Sequence, residues 1–237
     1  MANVSGVSSL GEMKMQDVSV VTHVPETGDI VLTAQYVECF RRVYAEKPWN
    51  EWLKCPCCEK YWGTKDKALL ASWQYRHCGE TLVDFWSRAD VLSDFYQEIT
   101  SDALCSLAIA GEKVVGFCSG YPIAVCDLEQ KIGIRFGDTL ENYFGRQGCI
   151  GYQDEIGVLP KYQGFKIGKV LNRRRVQHLE EKGMSTIVSR ARRAPNPSVT
   201  FLWYTQKLGY QILAEYSPED GRVILGRRIE GLVDLLH

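Results

Sequence analysis

The stretch Glu155-Ile-Gly-Val-Leu-Pro-Lys-Tyr-Gln-Gly-Phe-Lys-Ile-Gly-Lys169 constrains this chain more than any other. A strand predicted over Ile150–Val158 ends in a turn at Pro160. A helix predicted from Gln163 to about Glu181 then begins among glycines, with Gly183 just past its end. The first turn of any helix carries backbone N–H groups without an intrahelical partner, and its dipole favours an anion. Gly164 and Gly168 would let a diphosphate approach the main chain, and Lys166 and Lys169 add positive charge. The spacing is neither a Walker A loop nor a G-x-G-x-x-G fingerprint.

The rest of the chain supplies a sheet for this turn. Val18–Val24 alternates as a first strand, and apolar residues from Asp29 to Ala45 recur at helical spacing. A second amphipathic helix is predicted from Leu82 to Tyr96, and Leu104–Ala110 with Val114–Tyr121 reads as a hairpin turning at Gly111-Glu112. Thr186–Ala191 reads as strand, Pro197–Leu208 as helix, and Tyr210–Tyr216 with Arg222–Ile229 as a closing pair of strands. This order predicts an α/β mixed sheet of six or seven strands with helices on both faces. Residues 1–17 read as a flexible leader and 18–237 as a single domain, interrupted by a cysteine-rich insertion at about 53–80 and a Gly-rich one at about 126–149. A formal net charge of −1 gives no basic excess for nucleic acid, and no apolar run is long enough to span a bilayer. A cytoplasmic protein is expected, with a homodimer left open.

Val158, Pro160, Gln163 and Gly168 together resemble the signature of the GNAT superfamily of acyl-CoA-dependent N-acyltransferases, roughly V-x-P-x-x-R/Q-x-x-G-x-G/A. Lys166 stands where that signature has its first glycine. The order of elements follows the superfamily over most of the chain. The resemblance implies a GNAT-like fold and transfer of an acetyl group from acetyl-CoA to the primary amine of a small-molecule or peptide acceptor. It also implies a splayed strand whose residues Ile156, Gly157 and Val158 hold the cofactor's arm, and a cradle formed by Gln163, Gly164, Phe165, Lys166, Ile167, Gly168 and Lys169, with Asn196 nearby. Glu155, or Asp154 beside it, is the candidate base; strand alternation allows only one of the two to face the substrate. The family's thiolate acid lies in a pattern like N-x(7)-Y-x-x-x-G-F/Y. Asn196, predicted as the N-cap, and Tyr204 fit its first half, but counting back from Gly209 lands on Thr205. A helix residue is offset by about 100° from its neighbour. The alternative reading is a non-catalytic acyl-CoA sensor or scaffold that contacts protein or nucleic acid through a zinc knuckle.

Three of nine cysteines crowd into Cys55-Pro-Cys57-Cys58. Without a secretory signal, such a cluster reads as metal binding before disulfide. Cys55, Cys58, His77 and Cys78 would give zinc four ligands in a structural site, with Cys57 as a substitute for one of them. Cys105, Cys118 and Cys149 read as small buried hydrophobes. Among the arginines, Arg173–Arg175 and Arg190, Arg192 and Arg193 are candidates for the cofactor's phosphates, none singled out.

Overall fold

The computed structural model describes residues 18–24, 28–70, 75–217 and 221–237. The expected leader at 1–17 lies outside them. In chain order the elements are β1 (Val18–Thr22), α1 (Ile30–Ala45), β2 (Leu53–Lys54), β3 (Tyr61–Trp62), α2 (Lys67–Leu70), β4 (Arg76–His77), β5 (Glu80–Thr81), β6 (Val83–Asp84) and α3 (Arg88–Glu98). There follow β7 (Leu104–Ala110), β8 (Lys113–Ala124), α4 (Val125–Ile132), α5 (Gly137–Phe144), β9 (Cys149–Gln153) and β10 (Ile156–Val158). The chain closes with α6 (Ile167–Glu181), β11 (Thr186–Arg192), α7 (Val199–Lys207), β12 (Gln211–Ser217), β13 (Arg222–Arg228) and α8 (Leu232–Leu235).

The main sheet runs β1-β7-β8-β9-β11-β13-β12, and β10 also pairs with β8. All pairings are antiparallel except β9 with β11. Among the described residues the sheet thus has eight strands rather than six or seven. The extra one arises because the strand expected over Ile150–Val158 breaks at Asp154–Glu155 into β9 and β10. Alternation along the strands sends side chains to two cores. On one face, Leu107 and Phe117 pack with Tyr36, Phe40 and Phe95 of α1 and α3. On the other, Val115 and Cys118 meet Ile167 and Leu171 of α6, and farther along the sheet Tyr204 and Leu208 pack over Ile187 and Val223.

Two expectations change. The second helix starts at Arg88, capped by the Ser87 hydroxyl, which accepts from Asp90 N–H at 3.1 Å. The residues before it, Val83–Asp84, pair with β2 instead. Segment 126–149, where one short helix is expected around Thr139–Phe144, carries two: α4 and α5 bury Leu128, Leu140 and Phe144 against Ile150 and Tyr152. Cys149 is exposed, whereas Cys105 and Cys118 are buried.

The cysteine-rich segment forms a satellite of two small sheets, β3-β2-β6 and β4-β5. Its own buried core is Cys55, Leu69 and Leu82.

Candidate active site

The break at Asp154–Glu155 shapes the site. Ser119 N–H donates to Glu155 O at 2.9 Å and Leu159 N–H to Val115 O at 2.9 Å. Positions 155 and 159 therefore face β8, and the two-residue alternation turns the main-chain groups of Ile156 and Val158 to the opposite edge. β9 pairs onward with β11, but β10 pairs with β8 alone. The two strands diverge, and a groove of ≈ 620 Å³ opens between β10 and α7. Ile156, Gly157, Val158, Gln163, Gly164, Lys166, Ile167, Gly168 and Lys169 line it, as the sequence suggests. Lys47, Lys166, Lys169 and Lys207 stand around it against a single acid, Glu46, which suits an anionic occupant.

At the turn, Gly164 has φ +85° and Lys166, the N-cap of α6, has φ +63° and ψ 8°. A Cβ built on Gly168 would meet only Val158 Cγ2, at 3.9 Å, so the space over this first turn is open. The left-handed conformation explains why a glycine suits position 166: a side chain there costs about 1–2 kcal/mol. Lys166→Gly is accordingly expected to raise stability by about 1 kcal/mol, or roughly 2–4 °C in Tm, measured by calorimetry on the ligand-free chain.

Past Ile156 and Trp49, which line both spaces, the groove meets a cavity of ≈ 90 Å³ walled by Tyr44, Glu51, Trp86, Glu155, Arg190 and Arg222. The break suspends strand alternation, so both acids turn to one guanidinium: Arg190 Nη2 lies 3.1 Å from Asp154 Oδ1 and 3.1 Å from Glu155 Oε1. The Tyr44 hydroxyl donates to Glu155 Oε2. Burial and the Asp154 charge push Glu155 up to about 7, against the pull of Arg190 and Tyr44. Asp154 behaves oppositely. Burial would raise it, but a hydrogen bond from Glu98 and the charges of Arg190 and Lys131 hold it below the usual range. Glu98 in turn is pushed up to about 8, by burial and by Asp154. Glu51, raised by burial, accepts from Trp86 Nε1 at 2.8 Å and from Arg222 Nη2 at 2.7 Å.

A buried cation holds the break from behind. Arg175, wholly buried on α6, donates from Nη1 to Ser119 O at 3.0 Å and to Glu155 O at 2.9 Å. Its Nη2 donates to Asn172 Oδ1 at 2.8 Å and to the Tyr204 hydroxyl at 2.7 Å.

The family model for the GNAT acetyltransferase family matches residues 52–210. The chain belongs to the GNAT acetyltransferase family. No curated protein matches it in sequence. The PaiA N-acetyltransferase of Thermoplasma acidophilum, solved in complex with coenzyme A, is 16% identical with a TM-score of 0.50, over 89% of this chain and 98% of that one. A Pyrococcus horikoshii protein is 15% identical with a TM-score of 0.50, over 89% and 98%. At such identities the likeness is one of fold.

Other expected GNAT site residues lie elsewhere. Tyr204 is fully buried, its hydroxyl also donating to Asn172 Oδ1 at 3.1 Å, so it belongs to the core network of Arg175 rather than to the groove. Thr205, at the counted position, donates to Phe201 O at 2.7 Å. Ser198, not Asn196, caps α7, its hydroxyl accepting from Phe201 N–H at 3.1 Å. Asn196 is exposed and outside the groove lining, and Phe165 packs beside Ile167 and Leu171. Neither Arg173–Arg175 nor Arg190, Arg192 and Arg193 line the groove; the lysines do.

The four expected metal ligands converge. Ligand atoms of Cys55, Cys58, His77 and Cys78 all lie within 4.8 Å of one another. Cys58 and Cys78 Sγ are 3.7 Å apart, and His77 Nδ1 is 3.5 Å from Cys58 Sγ and 3.1 Å from Cys78 Sγ. A tetrahedral ion with Zn–S bonds of about 2.3 Å separates its sulfurs by about 3.8 Å, so the set fits zinc. Adjacent His77 and Cys78 can serve together because Cys78 has φ +52° and Gly79 φ +80°, a left-handed turn that breaks strand alternation. Exposed Cys57 stands outside the set.

Proposed function

We propose that this chain transfers an acetyl group from acetyl-CoA directly to a primary amine. The observation that carries the reading is the lysine-ringed groove ending, across Ile156, at a carboxylate raised to about 7. Main-chain amides between Gln163 and Gly168, with the first turn of α6, hold the diphosphate. The outward main-chain groups of Ile156 and Val158 hold the pantetheine arm and polarise the thioester carbonyl. Glu155, ionised, takes the proton of the incoming ammonium, directly or through a water, and Tyr44 and Arg190 orient it. The amine nitrogen attacks the carbonyl carbon, the tetrahedral intermediate collapses with cleavage of the C–S bond, and the second proton of the nitrogen passes to the departing sulfur, leaving the amide and free CoA thiol. A thiol of pKa about 8.5 leaves readily as thiolate, so the step does not depend on Tyr204. The reading includes a structural zinc ion on Cys55, Cys58, His77 and Cys78.

Acetyl-CoA at a hundredfold over its Kd is expected to add about 2.7 kcal/mol, a rise of roughly 5–10 °C in Tm, and thiol release should follow with some member of a primary-amine panel. Absence of stabilisation overturns the proposal. Stabilisation with no thiol release from any amine favours the sensor reading.

A further inference from the structure

The satellite places its four converging ligands a few residues from the cavity beside Glu155. The chain enters it at Glu51-Trp52 and leaves at Phe85-Trp86, and both ends wall that cavity through Glu51 and Trp86. The base is closed by Phe85 N–H donating to Trp52 O at 3.0 Å and by Trp86 Nε1 on Glu51. Just inside, Leu53 pairs with Asp84 and Lys54 with Val83. The next residue after β2 is Cys55.

Two-residue strands over a core of Cys55, Leu69 and Leu82 bury too little to hold themselves, and all nine cysteines are free thiols. The four converging ligands supply what the core lacks. Among the described residues the domain also holds the satellite through Arg41 Nη2 on Asp84 Oδ2 at 2.6 Å, the Thr64 hydroxyl donating to Glu46 Oε1 at 2.8 Å, Thr64 N–H donating to Ala45 O at 3.1 Å and Lys65 Nζ on Glu46 Oε2 at 2.7 Å.

We infer that zinc bound by Cys55, Cys58, His77 and Cys78 sets the acceptor wall: by locking the two hairpins together it keeps β2 on β6 and so keeps Glu51 bonded to Trp86. The ion itself takes no part in the chemistry. Its loss loosens the acceptor side and spares the diphosphate cradle, which is built on the turn before α6 and on its first residues rather than on the satellite. The inference rests on the proposed transferase reading only in naming this cavity the acceptor's.

The test compares full-length chain as purified, after chelation under reducing conditions, and as Cys58→Ser and Cys78→Ser variants. About one zinc per chain is expected as purified, and cobalt(II) exchanged into the site should show the thiolate charge-transfer and intense visible absorption of a tetrahedral site. On chelation, amide hydrogen exchange should quicken at least about tenfold across 51–55 and 76–86, with 104–124 unchanged. Calorimetric affinity for acetyl-CoA should stay within about twofold, against tenfold loss if the groove depended on the ion. A metal-free chain from zinc-supplemented growth overturns the inference. So does exchange unchanged at 51–55 and 83–86, or accelerated equally through 104–124. A chain that binds zinc and responds in exchange but takes up no acetyl-CoA would sink the transferase reading alone.

Discussion

Glu155→Gln is expected to lower kcat/KM for the amine by about 10²–10⁴-fold while acetyl-CoA affinity stays unchanged, because the amide keeps the shape and loses the basicity. In the native chain the acid limb of the pH–rate profile should fall near 7, where Glu155 titrates, with activity rising as the carboxyl ionises. Tyr44→Phe removes a donor that stabilises the carboxylate, so it should move that limb upward rather than abolish turnover. Stability gives a second, independent readout. The folded chain binds the Glu155 proton up to about 7, whereas an unperturbed glutamate releases it near 4.5. Stability is thus fully present below 4.5 and is lost as pH rises through about 7. Glu98 and Glu51 slope the same way, so Glu155→Gln should flatten this dependence in part. A variant with native kcat/KM and an unmoved pH profile would remove Glu155 from the chemistry.

Gly168→Leu is expected to weaken acetyl-CoA about 10- to 100-fold by calorimetry. The side chain would fill the open space over the first turn and displace one charge-assisted hydrogen bond, worth about 1.5–3 kcal/mol. The ligand-free chain should be no less stable, since nothing but Val158 lies near the new Cβ and leucine is the better helix former by roughly 0.8 kcal/mol. Unchanged affinity would place the diphosphate elsewhere.

The hairpin at 104–121 and the elements from α6 onward were legible because apolar periodicity and turn glycines agree there; Gly111 indeed takes φ +60° in its hairpin. The groove between β10 and α7 was legible for a similar reason: a strand, a proline turn and a glycine-bearing helix leave little geometric choice. The cavity beside Glu155 was not. Strict alternation would separate Asp154 from Glu155, and nothing local announces that the strand breaks between its ladders so that one guanidinium reaches both. Tyr44, Glu51 and Trp86 converge from segments scattered along the chain, which no spacing rule links. Asn196 and Ser198 are both good caps, and Pro197 between them suits either start; the choice fell to Ser198. Arg175 did leave a trace. It occupies the same helical stripe as Leu171 and Leu179, where a cation is out of place unless something beneath requires it. The cysteine set was readable from its two knuckles, but the left-handed turn that lets neighbours His77 and Cys78 share one ion was not.

That arginine has a wider meaning. α6 presents its first turn to the anion groove, and eight residues later, about 12 Å along the same rod, Arg175 grasps the carbonyl of Glu155. Any axial displacement of the rod pulls on the Glu155 peptide. The groove and the cavity beside Glu155 therefore hang from one lever, and a variant that retunes either end by shifting this helix inherits a change at the other.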